Sequence, residues 1–197
     1  MNTSVDFFDQ QFSVQVREGE KQLNPFELMA QPYLFGDVLD YGCGLGNLGI
    51  VAAKGGCRVL ALDAAPTAIS YLQKLAAEQG LPLTAVEADL RTFRIDGTYD
   101  TVVSIGLLMF LDENTALSQL TQLMTSVRPG GVAAINVLVE GTTFLDMFDA
   151  QSYYLFKPGE LRRAFTGWGI LVDSVDDFDA PRSTIKRFST VIARRAA

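Results

Sequence analysis

Four side chains able to hold a ligand stand at the same kind of place in this chain. Asp40, Asp63, Asp89 and Ser104 each lie at or just beyond the end of a short apolar run. The first leads into a glycine-dense loop, Val38-Leu39-Asp40-Tyr41-Gly42-Cys43-Gly44-Leu45-Gly46-Asn47-Leu48-Gly49. Glycines on alternate positions, Gly42, Gly44 and Gly46, let the backbone take unusual dihedrals and come close to a ligand. The helix expected after them presents unpaired N–H groups, which suit an anionic end of that ligand. Taken singly, an Asp after a strand is more often a turn or cap residue than a ligand contact. Three on successive strands, the first joined to such a loop, point to one shared crevice.

Two ligand classes use a crevice of this kind. A dinucleotide would lay its pyrophosphate on the loop, and Gly44-Leu45-Gly46-Asn47-Leu48-Gly49 does match G-x-G-x-x-G. That match is out of frame with the strand: counting from Gly42, the third glycine position holds Asn47. The Asp40 carboxylate, two residues before the loop, also opposes a pyrophosphate. A ligand carrying both an ammonium and a carboxylate fits better, the ammonium near Asp40 and the carboxylate on the helix N-terminus. A hydrogen bond to a charged partner is worth about 1.5–3 kcal/mol, enough to decide between the two. Other chemistries are removed by composition. The 197 residues include no histidine, so the commonest general base, the commonest metal ligand and every Ser-His or Cys-His arrangement are absent. Cys43 and Cys57 have neither metal nor redox spacing, and no metal site is expected.

The elements that must position these residues alternate. After the loop a helix runs over 47–54 to Gly55-Gly56, and the apolar run 58–62 reads as a parallel strand buried on both faces. Pro66 opens a helix with Ile69, Leu72 and Leu75 on one face and Gly80 as its stop. Strands follow at 83–86 and 99–104. Next comes a helix with Leu117, Leu120, Leu123 and Val127, closed by Pro129-Gly130-Gly131, and then a strand at 132–139. Alternation of this kind means βαβ units and a mostly parallel, Rossmann-like doubly wound α/β sheet. Its ligands bind beyond the carboxyl ends of the strands. From Glu140 the rhythm loosens, with a short helix over 158–165. Two strands at 168–175 and 185–193 have no helix between them, so they should pair antiparallel at one end of the sheet. Upstream, Phe7, Phe8, Phe12 and Val16 form a helical stripe, and Asn24-Pro25 is an N-cap followed by Pro at the first helical position. That region either closes over the site as a lid or simply covers the sheet.

The length fits one domain over 1–197: a helical cap at 1–35, a cofactor-binding core at 36–139 and a substrate-side part at 140–197. A net charge of −7 and a pI near 4.6 disfavour nucleic acid and anionic membrane as partners. They leave a small-molecule substrate and a monomer or homodimer. No basic and apolar leader stands at the N-terminus, and the longest apolar stretches fall short of the ~20 residues of a membrane span. With two unpaired thiols, this leads to the expectation of a cytoplasmic protein.

These residues carry a resemblance. Asp40-x-Gly42-x-Gly44-x-Gly46, Asp63 ending the second strand, Ala88-Asp89 after the third, Tyr99-Asp100 opening the fourth and Val127-Arg128-Pro129-Gly130-Gly131 resemble the motifs of class I S-adenosylmethionine-dependent methyltransferases. The resemblance implies S-adenosyl-L-methionine as cofactor, S-adenosyl-L-homocysteine as product, and about seven strands with an antiparallel C-terminal strand and helices on both faces. It implies that Gly42, Cys43 and Gly44 line the methionine portion beside Asp40 and Gly46, and that Asp63 binds the ribose hydroxyls next to Ala64. It places Asp89 at the adenine amine, Leu90 beside the ring, and the Ser104–Ile105 backbone near the methionine end. Met109-Phe110-Leu111, Phe156-x-x-Gly159-Glu160-Leu161, Trp168 and Ile192-Ala193-Arg194-Arg195 are similar to the tellurite-resistance-type members.

Methyl transfer from a sulfonium is an in-line displacement with a good leaving group, and orientation alone can supply about 7–11 kcal/mol. An anionic or soft acceptor, a thiol or a metalloid oxyanion, therefore needs no histidine. Candidates for the acceptor side are Met109, Phe110, Tyr153, Tyr154, Arg182, Lys186 and Arg187. Two alternatives stand beside this reading: an NAD(P)-dependent oxidoreductase on a similar fold, and a catalytically silent S-adenosylmethionine-binding protein.

Overall fold

A computed structural model describes residues 3–18, 22–149 and 152–197. Its helices are α1 (Thr3–Glu18), α2 (Pro25–Ala30), α3 (Asn47–Lys54), α4 (Pro66–Gln79), α5 (Glu113–Thr125) and α6 (Glu160–Ala164). Its strands are β1 (Asp37–Tyr41), β2 (Arg58–Asp63), β3 (Leu83–Glu87), β4 (Tyr99–Ile105), β5 (Val127–Leu138), β6 (Gly169–Ala180) and β7 (Thr184–Arg194). No described helix is long and apolar enough to cross a membrane.

The strands form one seven-stranded sheet in the order β3-β2-β1-β4-β5-β7-β6. Pairing is parallel from β3 through β5, whereas β7 runs antiparallel to both β5 and β6. The β6–β7 hairpin closes one end of the sheet, as the missing helix between them requires.

Helices cover both faces. Leu39, Val102, Ile135 and Val137 pack against Leu120 and Leu123 of α5 and Leu161 of α6. On the opposite face Val59, Ala61 and Ala85 meet Ile50 of α3 and Ile69, Leu72 and Leu75 of α4. Leu39, Leu72 and Leu123 are fully buried, and truncating any of them to Ala would cost about 2–5 kcal/mol. At the amino-terminal edge of the sheet Arg128 bridges Asp37 and Asp100 at 2.8 and 2.7 Å, which leaves the carboxyl edge to the ligand.

Local signals set the ends of these helices. Gly80 stops α4 at φ 60°. Asn24 caps α2 in a reciprocal capping box with Glu27. One boundary differs from expectation: α5 ends at Thr125, and Val127 already belongs to β5. Val127 continues the apolar face of the helix by spacing, but it pairs with Tyr99 in the sheet and is fully buried there. The N-terminal stripe is also split, with Phe8 and Phe12 half-buried while Phe7 and Val16 stay exposed.

Candidate functional site

A cavity of about 1200 Å³ opens at the carboxyl ends of β1 to β4, roofed by α1 and the start of α2. The strand register explains why the predicted residues meet there. Asp40 lies beside Ala61 and Val103, and Asp63 beside Glu87, so each strand delivers its last polar residue to the same edge. Asp40, Gly42, Cys43, Gly44, Gly46, Asp63, Ala64, Asp89, Leu90 and Ile105 all line the cavity. Ser104 does not: it is fully buried, and its hydroxyl has no hydrogen-bond partner among the described residues.

The loop is shaped for close approach. The Gly42 and Cys43 N–H groups donate to the Leu62 carbonyl at 2.8 and 3.0 Å, and the Gly44 N–H donates to Asp63 Oδ2 at 2.8 Å. Gly42 and Gly46 have φ of 81° and 68°. A Cβ at Gly42 would come within 2.8 Å of Leu107, and one at Gly46 within 2.5 Å of Leu72. Both positions therefore exclude any side chain. The Phe12 ring of α1 lies directly over Gly44, and Asp9 of the same helix accepts from the Thr67 N–H and hydroxyl at 2.8 and 2.9 Å. These contacts fasten α1 across the mouth of the cavity.

Charge in the cavity is one-sided. Asp40 is buried, and its pKa is pushed up to about 7, first by burial and then by the neighbouring Glu27 and Asp63 carboxylates. Burial also raises Asp63, against the lowering effect of the Ala65 and Gly44 N–H groups. The Cys43 thiol is pushed up by burial and by Asp40 and Asp63, which keeps it neutral. Arg91 is the one basic side chain among the described lining residues, and it grips Asp89 through Nε and Nη2 at 2.9 and 2.7 Å. A buried acidic cluster without its own cation fits a cationic ligand and disfavours a pyrophosphate. A sulfonium with an ammonium tail meets that requirement.

Behind the adenine end predicted for Leu90 lies a network that the sequence did not announce. The buried Tyr41 hydroxyl donates to the Leu90 carbonyl at 3.0 Å and bonds Gln119 Oε1 at 3.1 Å. Gln119 Nε2 in turn donates to the Arg91 and Phe93 carbonyls at 3.3 and 3.4 Å. The segment carrying Asp89 and Leu90 is thus held from beneath by β1 and α5.

The acceptor candidates divide. Phe110 lines the cavity. Met109 is buried behind it, its carbonyl accepting the Tyr154 N–H at 3.0 Å. Tyr154 is buried with its hydroxyl donating to Glu160 at 2.7 Å; burial first, and then that carboxylate, raises its pKa. Tyr153 stacks on Phe148. Arg182 pairs with Asp146, Arg187 with Asp177 at 2.7 Å, and Lys186 sits 4.7 Å over the Phe144 ring. Tyr153, Tyr154, Arg182, Lys186 and Arg187 are not among the residues lining the cavity. The wall contains instead Phe8, Glu27 and Leu107. Phe8 was visible beforehand only as part of a helical stripe, and Glu27 was not singled out.

Comparison with known proteins agrees with this geometry. A family model described as a methyltransferase domain matches residues 38–131. An uncharacterised protein of Mycobacterium tuberculosis is 36% identical over 168 residues, covering 79% of this chain and 60% of its own length. The 2-heptyl-1-hydroxyquinolin-4(1H)-one methyltransferase of Mycobacteroides abscessus is 38% identical over 91 residues, covering 45% of this chain and 40% of its own. The crystal structure of TehB from Haemophilus influenzae superposes with a TM-score of 0.77 at 19% identity, over 92% of this chain and 65% of that one. The chain spans 60% or less of the length of the curated relatives it matches here. Residues 38–131, which hold the glycine loop and the ends of β1 to β4, thus resemble a methyltransferase domain, and the seven-stranded sheet has a fold similar to that of TehB.

Proposed function

We propose that this chain transfers the methyl group of S-adenosylmethionine to a small-molecule acceptor. The observation that carries the reading is the buried Asp40 carboxylate, set among Glu27 and Asp63 at the glycine loop with no basic partner of its own. Asp40 would hold the ammonium of the amino-acid tail, with the backbone of Gly42, Cys43, Gly44 and Gly46 closing around it. Asp63, which uses one lone pair on each oxygen for Gly44 and Ala65, retains acceptor capacity for two ribose hydroxyls. Ala64 lies beside the ribose, and Leu90 and Asp89 take the adenine. The backbone at Ser104 and Ile105 borders the methionine end.

The bound cofactor supplies an electrophilic methyl group: the acceptor's lone pair forms the new bond as the sulfonium C–S bond breaks, its electron pair staying on the departing sulfur. Side chains of this chain orient both partners, keep water out through α1, and leave an acceptor proton to pass to a cavity carboxylate or to water. Of the two acceptors needing no strong base, a thiol suits this acidic lining better than a metalloid oxyanion. The name of one relative, a 2-heptyl-1-hydroxyquinolin-4(1H)-one methyltransferase, supports a small-molecule acceptor.

Calorimetric titration with S-adenosylhomocysteine tests the assignment. Asp63→Ala should weaken binding about ten- to a hundredfold, from the loss of about 1.5–3 kcal/mol of charge-assisted hydrogen bonding. Unchanged affinity would refute the placement of the ribose.

A further inference from the structure

We propose that the part of the cavity between α1 and the turn at 106–111 is the acceptor site, and that it takes an uncharged molecule with an apolar body. This rests on the cofactor reading above, which assigns the opposite end of the cavity to the nucleoside. Val5 and Phe8 of α1 and Leu107, Phe110 and Leu111 of the turn are among the residues lining the cavity. These walls are braced: Phe8 meets Phe110 edge-on at 4.9 Å, Phe110 meets Phe148 at 5.0 Å, and Phe148 stacks on Tyr153 at 4.7 Å. A row of four rings thus runs from α1 to Phe148 and Tyr153. Tyr153 contributes by supporting Phe110 rather than by touching the ligand.

Charge selects against anions. Arg91, the one basic lining residue described, is already bidentate to Asp89, and Arg182 and Arg187 pair with Asp146 and Asp177 outside the cavity. An oxyanion entering would find no unpaired basic side chain among the described lining residues to receive it, and the Glu27 carboxylate nearby. Size permits two occupants: about 1200 Å³ exceeds the roughly 300–1,000 Å³ typical of a single-ligand site.

Three thiols separate body from charge: benzyl mercaptan, 2-mercaptoethanol and mercaptoacetate, each assayed with S-adenosylmethionine by S-adenosylhomocysteine release. Each acceptor sulfur gains the methyl group and its thiol proton goes to water. The expected order of kcat/KM is benzyl mercaptan, then 2-mercaptoethanol, then mercaptoacetate, with about tenfold between the first two from apolar burial. Phe8→Leu and Phe110→Leu should raise KM for benzyl mercaptan several-fold more than for 2-mercaptoethanol. Affinity for S-adenosylhomocysteine should stay within about twofold, which also reports that the variants fold. The proposal is overturned if mercaptoacetate or selenite is the best acceptor, if the ring substitutions affect all three thiols alike, or if benzyl mercaptan is not turned over by protein that binds S-adenosylhomocysteine. Failure of wild-type protein to bind S-adenosylhomocysteine at all would instead remove the cofactor reading on which the proposal stands.

Discussion

Asp40 should make cofactor binding depend on pH near neutrality. Its pKa rises from an ordinary 3.8 to about 7 in the folded protein, chiefly through burial. At about 1.36 kcal/mol for each tenfold change in proton affinity, ionising it in place costs about 4 kcal/mol. The folded state therefore holds a proton that the unfolded state has lost between about pH 4 and pH 7. Its contribution to stability is present below that window and fades as pH climbs through it. A cationic ligand reverses the balance, because the ammonium favours the carboxylate and drives the proton off. If only ionised Asp40 binds, affinity for S-adenosylhomocysteine should rise about tenfold between pH 6 and pH 8, with close to one proton released per ligand at the acid end. Calorimetry in two buffers of different ionisation enthalpy counts that proton directly. Asp40→Asn should bind more weakly and lose the pH dependence between these two values. Wild-type affinity that is flat over this range, with no proton released, would refute the reasoning.

Two further substitutions probe the scaffold. Tyr41→Phe leaves the buried Leu90 carbonyl without this donor, while Gln119 Oε1 keeps the one from Gln122 Nε2. It should cost about 1–3 kcal/mol in denaturant melts and weaken S-adenosylhomocysteine binding several-fold, although Tyr41 does not line the cavity. Gly46→Ala forces a side chain into a left-handed backbone and to within 2.5 Å of Leu72. The backbone term alone is about 1–2 kcal/mol, so both melting temperature and cofactor affinity should fall.

The gathering of the residues proposed for the cofactor in one cavity was legible because they are local in sequence. Asp40 and Gly42 to Gly46 form one strand-loop-helix, and Asp63 and Asp89 end consecutive strands whose parallel pairing follows from the alternation itself. The wall proposed for the acceptor was not. Phe8 meets Phe110 across some hundred residues, and on the adenine side the equally hidden contact of Tyr41 with Gln119 spans nearly eighty. No periodicity encodes which aromatic of a stripe turns inward. Tyr153, Tyr154, Arg182 and Lys186 were chosen by residue type near the expected end of the sheet. The fold instead spends Tyr154 on Glu160, Arg182 on Asp146 and Tyr153 on the ring row. Val127 shows the same limit at a boundary, since helical spacing carried one residue too far into a strand that only long-range pairing defines.

The central claim is that this glycine loop and its acids hold a zwitterionic sulfonium cofactor rather than a dinucleotide. Parallel calorimetric titrations of the protein with S-adenosylhomocysteine and with NADH test it most directly. Saturable one-to-one binding of S-adenosylhomocysteine with no heat from NADH is the predicted result. Tight NADH binding with none for S-adenosylhomocysteine would contradict it.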